Sequence, residues 1–320
     1  MTAIRIDGVE KRFGDTHAVR DLSLEVPEGS LCGFLGPNGA GKSTTIRMIM
    51  SIIYPDAGSI RVLGATALDA KDRIGYLPEE RGVYRKMRVG EFVRYIARLK
   101  GCDGPGFDRV IEQWLERIEL PGVARKRCEE LSKGMQQKVQ FLAAVINDPE
   151  LIILDEPFSG LDPVNAEVIH RLVRELHDSG RTIIFSTHVM QQAERLCDRI
   201  VLINRGRKLL DEPTREVRER FTPRELALTP PRESEPAEVA ATAAADPAIR
   251  EARVRDGIVI AALEDEADPR AAMRRLLDAI PLDGVQVRRA GLEEVFVTVV
   301  RRDGGDEAAR EAQAELAAAV

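Results

Sequence analysis

The spacing of apolar positions changes character along the chain. Near the start, TAIRIDGVEKRF and LSLEV alternate apolar and polar residues, and Gly14–Asp15 and Pro27–Glu28–Gly29 close the runs. Such alternation predicts half-buried strands ending in turns. SLCGFLG is a short continuous apolar run, which suggests a strand buried on both faces. From Ser43 the period becomes helical, with Ile46, Ile49, Met50 and Ile53 on one side, until Tyr54–Gly58 ends it. Residues 86–146 read as mostly helical. VGEFVRYIARLKG stops at a glycine; FDRVIEQWLERIELPG sets Val110, Trp114, Leu115 and Ile118 on one face; SKGMQQKVQFLAAVIND follows. Strands return in LIILDEP, TIIFSTH and IVLINRG. The helix PVNAEVIHRLVRELHDSG separates the first two, so a parallel pair is expected there.

Composition shifts near Pro213. LTPPRESEPAEVAATAAADPA reads as a loop or insertion. Beyond it, REARVRDGIVIAAL is a pair of alternating runs around Asp256–Gly257, a hairpin signal. A helix (DPRAAMRRLLDAI), a strand (GVQVRRA) and GLEEVFVTVV complete a small α+β unit. The last residues, GGDEAAREAQAELAAAV, read as a frayed helix or disorder.

The chain has 320 residues, 44% hydrophobic and 31% charged, with a net charge of −6. This composition is that of a globular chain and argues against a nucleic-acid partner, which needs a basic face. Cys32, Cys102, Cys128 and Cys197 form no CxxC pair and read as buried or incidental thiols. No stretch approaches the ~20 apolar residues that span a bilayer. Any membrane-spanning helices would therefore come from another chain.

Gly36-Pro-Asn38-Gly39-Ala-Gly41-Lys42-Ser43 matches G-x-x-x-x-G-K-[ST], between a strand and a helix as that pattern requires. Backbone N–H groups of such a loop converge on a β-phosphate, and a side chain at Gly39 or Gly41 is expected to obstruct that approach. Lys42 would reach the β- and γ-phosphates, and the Ser43 hydroxyl would ligate Mg²⁺. LIILDEP ends a buried strand in Asp155, a candidate to hold Mg²⁺ through water. Glu156 is then set to polarise the water that attacks the γ-phosphate. In LSKGMQQKV, Ser132 is a good N-cap and Gly134 leaves its first turn open, a second helix N-terminus suited to a phosphate. One nucleotide does not need both from one chain; two chains facing head to tail would use them.

These motifs, in this order, resemble the ATP-binding cassette (ABC) ATPases over roughly residues 2–215. The resemblance implies an α/β fold of the P-loop NTPase class: a RecA-like core with a mixed sheet, an antiparallel β subdomain and a helical subdomain at about 86–146. Residues 216–303 would form the small C-terminal α+β domain and 304–320 the tail. Within the family pattern, Phe13 is similar to the aromatic that stacks on adenine, and Gly36 to Thr44 to the Walker A loop. Ser132, Gly134 and Gln136 resemble the signature, although Lys133 and Met135 depart from its commonest form. Asp155 and Glu156 resemble Walker B and the catalytic glutamate. Ser159 and Asp162 resemble the loop crossing between the two ATP sites, and His188 the histidine that contacts the γ-phosphate. Where the family usually has glutamine, this chain has Glu79, which can still ligate Mg²⁺ or orient water while adding negative charge.

The resemblance implies ATP and Mg²⁺ as ligands, a homodimer or heterodimer of cassettes, and a membrane-spanning permease on a separate chain. It implies a place on the cytoplasmic face of the membrane, with Gly82, Val83 and Tyr84 as coupling contacts. Glu79–Tyr84 and the C-terminal unit are similar to an export branch resembling sodium-extrusion ATPases. The alternatives are a soluble ABC ATPase acting on ribosomes or DNA, and a non-hydrolysing ATP-binding module. A single phosphate loop, and the presence of Lys42, Asp155, Glu156 and His188, weigh against each in turn.

Overall fold

The computed structural model describes residues 1–80 and 82–317. Arg81, within the Glu79–Tyr84 stretch, and residues 318–320 of the expected tail lie outside the described residues. The chain divides into two compact units, Met1–Thr214 with Leu292–Val320, and Arg215–Gly291.

The first unit opens with a long hairpin, β1 (Thr2–Phe13) and β2 (Thr16–Pro27), turning at Gly14 as the alternation suggested. After β3 (Leu31–Leu35) and α1 (Lys42–Ile49), strand β4 (Ala57–Val62) returns to pair antiparallel with β1. A short strand, β5 (Ile74–Leu77), leads to three helices: α2 (Val89–Leu99), α3 (Phe107–Arg117) and α4 (Lys133–Val145). These are the helical stretch expected at 86–146. The chain then runs through β6 (Leu151–Asp155), α5 (Pro163–Asp178), β7 (Thr182–Thr187), α6 (Met190–Leu196), β8 (Arg199–Asn204) and β9 (Arg207–Pro213).

The strands of this unit form two sheets among the described residues. One is the antiparallel β2-β1-β4; the other is six-stranded, in the order β5-β6-β7-β3-β8-β9. In the second, the first five strands are parallel and β9 is antiparallel to β8. Every residue of β3, β6 and β7 is buried, the run-on apolar pattern expected of parallel strands covered on both faces. Helix α5 crosses between β6 and β7, giving the parallel pair that the sequence suggested. Asp162 accepts from the Asn165 amide at 2.9 Å and Pro163 fills the first helical position, so α5 starts where side-chain capping dictates.

After α7 (Thr214–Phe221), the second unit runs β10 (Glu225–Thr229), α8 (Pro236–Ala244), β11 (Ile249–Arg255), β12 (Ile258–Leu263), α9 (Pro269–Ala279) and β13 (Gly284–Val287). Its sheet order is β11-β12-β10-β13, all antiparallel neighbours. This is the split βαβ, ferredoxin-like arrangement. Asp256 and Gly257 both take positive φ, 50° and 77°, as a two-residue hairpin of matching twist requires. The Pro/Ala-rich segment, read from the sequence as a loop or insertion, is not a loop throughout: it contains α8, whose Val239, Ala240 and Ala243 are buried in the unit's core. Small side chains let a helix lie close to a sheet, and Pro236 sits in its first turn; composition alone hid both facts.

The final helix, α10 (Leu292–Ala317), clusters with the first unit, not with the α+β unit to which residues up to 303 were assigned from sequence. It packs on α6 and β9, burying Phe296, Val300, Ala309 and Ala312, and its backbone breaks at Gly305 (φ 80°, ψ −175°).

The parallel sheet tolerates little added volume. A Cβ at Gly75 of β5 would lie 2.2 Å from the Ala144 carbonyl oxygen at the end of α4, whereas a Cβ at Gly104 would meet nothing within 4 Å. Gly75→Ala is therefore expected to destabilise the protein by about 1–3 kcal/mol in urea unfolding. Gly104→Ala, which only restricts the unfolded chain, should be neutral or slightly stabilising. Equal midpoints for the two variants would contradict this packing.

Candidate functional site

Strand order brings the expected site together. β3, β7 and β6 are adjacent and parallel, with Leu35 level with Thr187 and Asp155 level with Ser186. Their carboxyl ends therefore deliver the glycine loop, His188 and the Asp155–Glu156 pair to one edge of the sheet, where open α/β sheets bind ligands. A cleft of ≈ 500 Å³ opens there, lined among others by Asn38, Gly39, Gly41, Lys42, Ser43, Thr44, Glu79 and Glu156.

The loop's glycines are fixed by its own backbone. A Cβ at Gly36 would stand 2.0 Å from the Ile203 carbonyl oxygen, and one at Gly41, which caps α1 at φ 103°, 2.6 Å from that of Ala18. Gly39 takes φ 77° with no atom within 4 Å of a Cβ. The sequence reading had glycine clearing the way for a phosphate. At Gly41 the constraint is packing, and at Gly39 it is the left-handed conformation. Lys42 is 6% exposed, and its ammonium donates to the carbonyl oxygens of Gly36 (2.7 Å) and Pro37 (3.0 Å). Burial pulls its pKa down, and the charges of Glu156, Asp155 and Glu79 oppose that.

Asp155 and Glu156 are both buried, at 2% and 7% exposure. The Ser43 hydroxyl donates to Asp155 at 3.4 Å. Burial, above all, raises the Asp155 pKa; the Ser43 contact opposes the rise, and the charges of Glu79 and Glu156 add to it. Glu156 is held from three sides. One oxygen accepts from the His188 amide (2.9 Å) and lies 2.6 Å from His188 Nδ1; the other accepts from the Thr187 hydroxyl (3.1 Å). Its own backbone is left-handed (φ 49°), a costly conformation for a residue with a Cβ and one that clusters at functional sites. With Nδ1 committed to the carboxylate, His188 can offer only Nε2 to a ligand, as a donor when the ring is protonated. Glu79 is exposed on the cleft's rim, and its charge reaches Lys42 and Asp155.

Other expected residues stand apart from this cleft. Phe13 is 50% exposed at the hairpin tip, with the Lys11 ammonium 5.5 Å from its ring centre, and it does not line the cleft. Ser132 caps α4 by accepting from the Met135 amide at 3.3 Å, and Gln136 donates to the Cys128 and Leu131 carbonyls, bracing the segment before the cap. A Cβ at Gly134 would meet Leu161 and Asn165 at ordinary contact distance. The cap belongs to another surface of the same unit.

Sequence reasoning missed several residues of the cleft. Thr16, Arg20 and Arg205 line it. Thr16 follows the hairpin turn directly. Arg205 belongs to a Gly-containing turn after a buried strand, a pattern without chemical specificity. The Thr187 hydroxyl on Glu156 was also unforeseen.

An ABC transporter family model matches residues 19–159. The chain is 44% identical over 226 residues to the ABC transporter ATP-binding protein YhaQ of Bacillus subtilis, covering 70% of this chain and 76% of the relative. It is 42% identical over 213 residues to the Nod factor export ATP-binding protein I of Rhizobium sp., covering 65% and 70%. A solved structure of an ATP-binding subunit of an ABC transporter superposes with a TM-score of 0.64 at 29% identity, covering 69% of this chain and 93% of that one. The chain belongs to the ATP-binding subunits of ABC transporters.

Proposed function

We propose that this chain hydrolyses ATP to power an export-type transporter, closing head to tail with a second cassette on a membrane-spanning partner. The observation that carries hydrolysis is the seating of Glu156: a buried carboxylate held by His188 and Thr187, in one cleft with Lys42 and beside the Ser43–Asp155 pair. A triphosphate entering the cleft replaces the Gly36 and Pro37 carbonyls as partner of the Lys42 ammonium. Glu156 accepts a proton from the attacking water as the new P–O bond forms. The bond to the β-phosphate oxygen breaks, and ADP and phosphate leave. His188 fixes the Glu156 carboxylate and presents Nε2 toward the γ-phosphate.

Among the described residues, no three His, Cys, Asp or Glu side chains form a self-sufficient metal cage. A hydroxyl beside a buried carboxylate, completed by phosphate oxygens and water, is nonetheless the donor set Mg²⁺ takes. Ser43 and Asp155 would hold the ion, with Glu79 within electrostatic reach, and the ion would neutralise charge developing on the phosphates.

The second cassette is inferred from Ser132, an exposed helix cap outside its own cleft. The permease contact is inferred from a groove of ≈ 510 Å³ lined by Tyr84, Arg85, Lys86, Met87 and Tyr95. There Tyr84, 53% exposed, sits edge-on to Phe92 and Tyr95. Among the described residues no helix is long and apolar enough to cross a membrane. The Nod factor export relatives support export.

Glu156→Gln is expected to lower ATP turnover by about 10²–10⁴-fold while keeping nucleotide binding. It should also shift the protein to a dimer in ATP on size-exclusion chromatography. Lys42→Ala should lose tight binding of ATP. Normal turnover in either variant would overturn the site assignment, and a monomeric Glu156→Gln in saturating ATP would overturn the pairing.

Asp155 gives a prediction about stability. Its folded-state pKa is raised, so the penalty for its charge is fully present above that pKa and fades as pH falls toward the ordinary aspartate value. Asp155→Asn should therefore make the ligand-free protein more stable at pH 7, by about 0.5–2 kcal/mol in denaturant unfolding, while abolishing the gain from Mg²⁺ and ATP. The advantage over wild type should shrink in acid. A variant less stable than wild type at pH 7 would refute this account of the carboxylate.

A further inference from the structure

The nucleotide cleft shares a wall with a second recess. Arg20 and Arg205 line both, and the smaller recess, of ≈ 170 Å³, is closed on its other side by Val300, Asp303, Gly304 and Ala308 of α10. The C-terminal helix thus reaches the back of the ATP cleft within one compact unit. Its seating is apolar on both sides of the Gly305 break, through Phe296 and Val300 before it and Ala309 and Ala312 after it, all at most 3% exposed. The Leu292 amide adds a hydrogen bond to Glu194 of α6 at 2.9 Å.

A charged pair joins α10 to the wall of the cleft. Arg205 Nη2 donates to Glu311 Oε2 at 2.5 Å, between side chains that are 65% and 54% exposed. The turn carrying Arg205 is tied to the phosphate loop: the Gly206 amide donates to the Ala40 carbonyl at 2.9 Å, and the Gly206 carbonyl accepts from the Arg20 amide at 2.8 Å. Arg205 therefore has a fixed backbone beside the phosphate loop and a long, exposed side chain whose charge can serve a polyphosphate or Glu311. A triphosphate and a carboxylate compete for the same guanidinium donors.

We propose that Arg205 is a nucleotide-affinity residue, held back by Glu311 of the C-terminal helix until ATP draws it into the cleft. The proposal rests on the reading of the cleft as an ATP site. It makes two consequences inseparable. Glu311 weakens ATP binding through Arg205, and, since coupling is reciprocal, bound ATP loosens the helix beyond Gly305. A surface pair this exposed shifts an equilibrium by a factor of about 1.5–5, so the helix tunes affinity and does not switch it off.

The test is equilibrium binding of ATP to the full chain without magnesium, comparing wild type, Glu311→Gln, Arg205→Asn and the double variant. Asparagine tolerates the left-handed backbone at this position (φ 47°), so the exchange removes charge with little strain. Glu311→Gln should tighten binding by about 1.5–5-fold. Arg205→Asn should weaken it by about 3–10-fold, the loss of one charge-assisted contact. The double variant should match Arg205→Asn. An unchanged Glu311→Gln, or a gain that persists when Arg205 is asparagine, overturns the proposal. In wild type, hydrogen exchange over residues 306–314 should rise when ATP binds, and it should not rise in Arg205→Asn. No rise in wild type overturns the proposal even if the Arg205 variant folds poorly. Lys42→Ala separates the two readings. If it loses ATP while Glu311→Gln changes nothing, the cleft reading stands and only this inference fails; if it binds ATP normally, the cleft reading itself fails.

Discussion

The site depends on a close approach between backbone segments. The loop that begins at Gly36 lies so near the end of β8 that even one methyl group at that position would fall 2.0 Å from the Ile203 oxygen. Gly41 and Gly206 are packed in the same way against the Ala18 carbonyl, each with room for no more than hydrogen at Cα. The phosphate loop is thus clamped between the start of β2 and the β8–β9 turn by main-chain atoms. Main-chain clamping costs no side-chain entropy and is stiff, so amide donors can be aimed before any ligand arrives.

On that fixed frame the protein concentrates charge at a cost in stability. Asp155 and Glu156 are almost wholly buried, with Glu79 close enough to act on Lys42 and Asp155. Lys42 is also buried, with its ammonium satisfied by two loop carbonyls. Burial pushes Asp155 toward its neutral form and Lys42 toward its neutral form as well. Neither shift helps the empty protein. A bound triphosphate would add negative charge beside Lys42 and its cation positive charge beside Asp155, and both would favour the charged forms of these residues. Glu156, with φ 49°, adds backbone strain at the same point.

Much of this was legible from sequence because it depends on local patterns. The phosphate loop is a contiguous motif between a strand and a helix, and Asp155 ends an unbroken apolar run. Their meeting follows from strand order, which the β6–α5–β7 crossover partly specifies. What local pattern could not carry was partner choice. The Thr187 hydroxyl and the His188 ring both turn to Glu156, a contact between residues more than thirty positions apart. Phe13 illustrates the opposite case. Only the family resemblance offered it as an adenine-stacking aromatic; its ring is half exposed beside Lys11 and is not among the residues that line the cleft. The Ala-rich α8 was misread for a related reason: small residues give a weak hydrophobic signal even when a sheet covers them.

The C-terminal helix shows how far chain order can mislead about structure. Its first residues follow β13 directly, and its apolar positions suit a closing element of the α+β unit. They are instead buried within the cassette's own unit, on α6 and β9. In chain order the α+β unit is therefore an insertion between β9 and α10, with both flanking elements anchored to the ATPase body. Glu311 of α10 bonds Arg205 of the β8–β9 turn, and that turn is bonded to the phosphate loop through Gly206 and Ala40. A chain of specific contacts, not proximity alone, therefore links the last helix to the first motif.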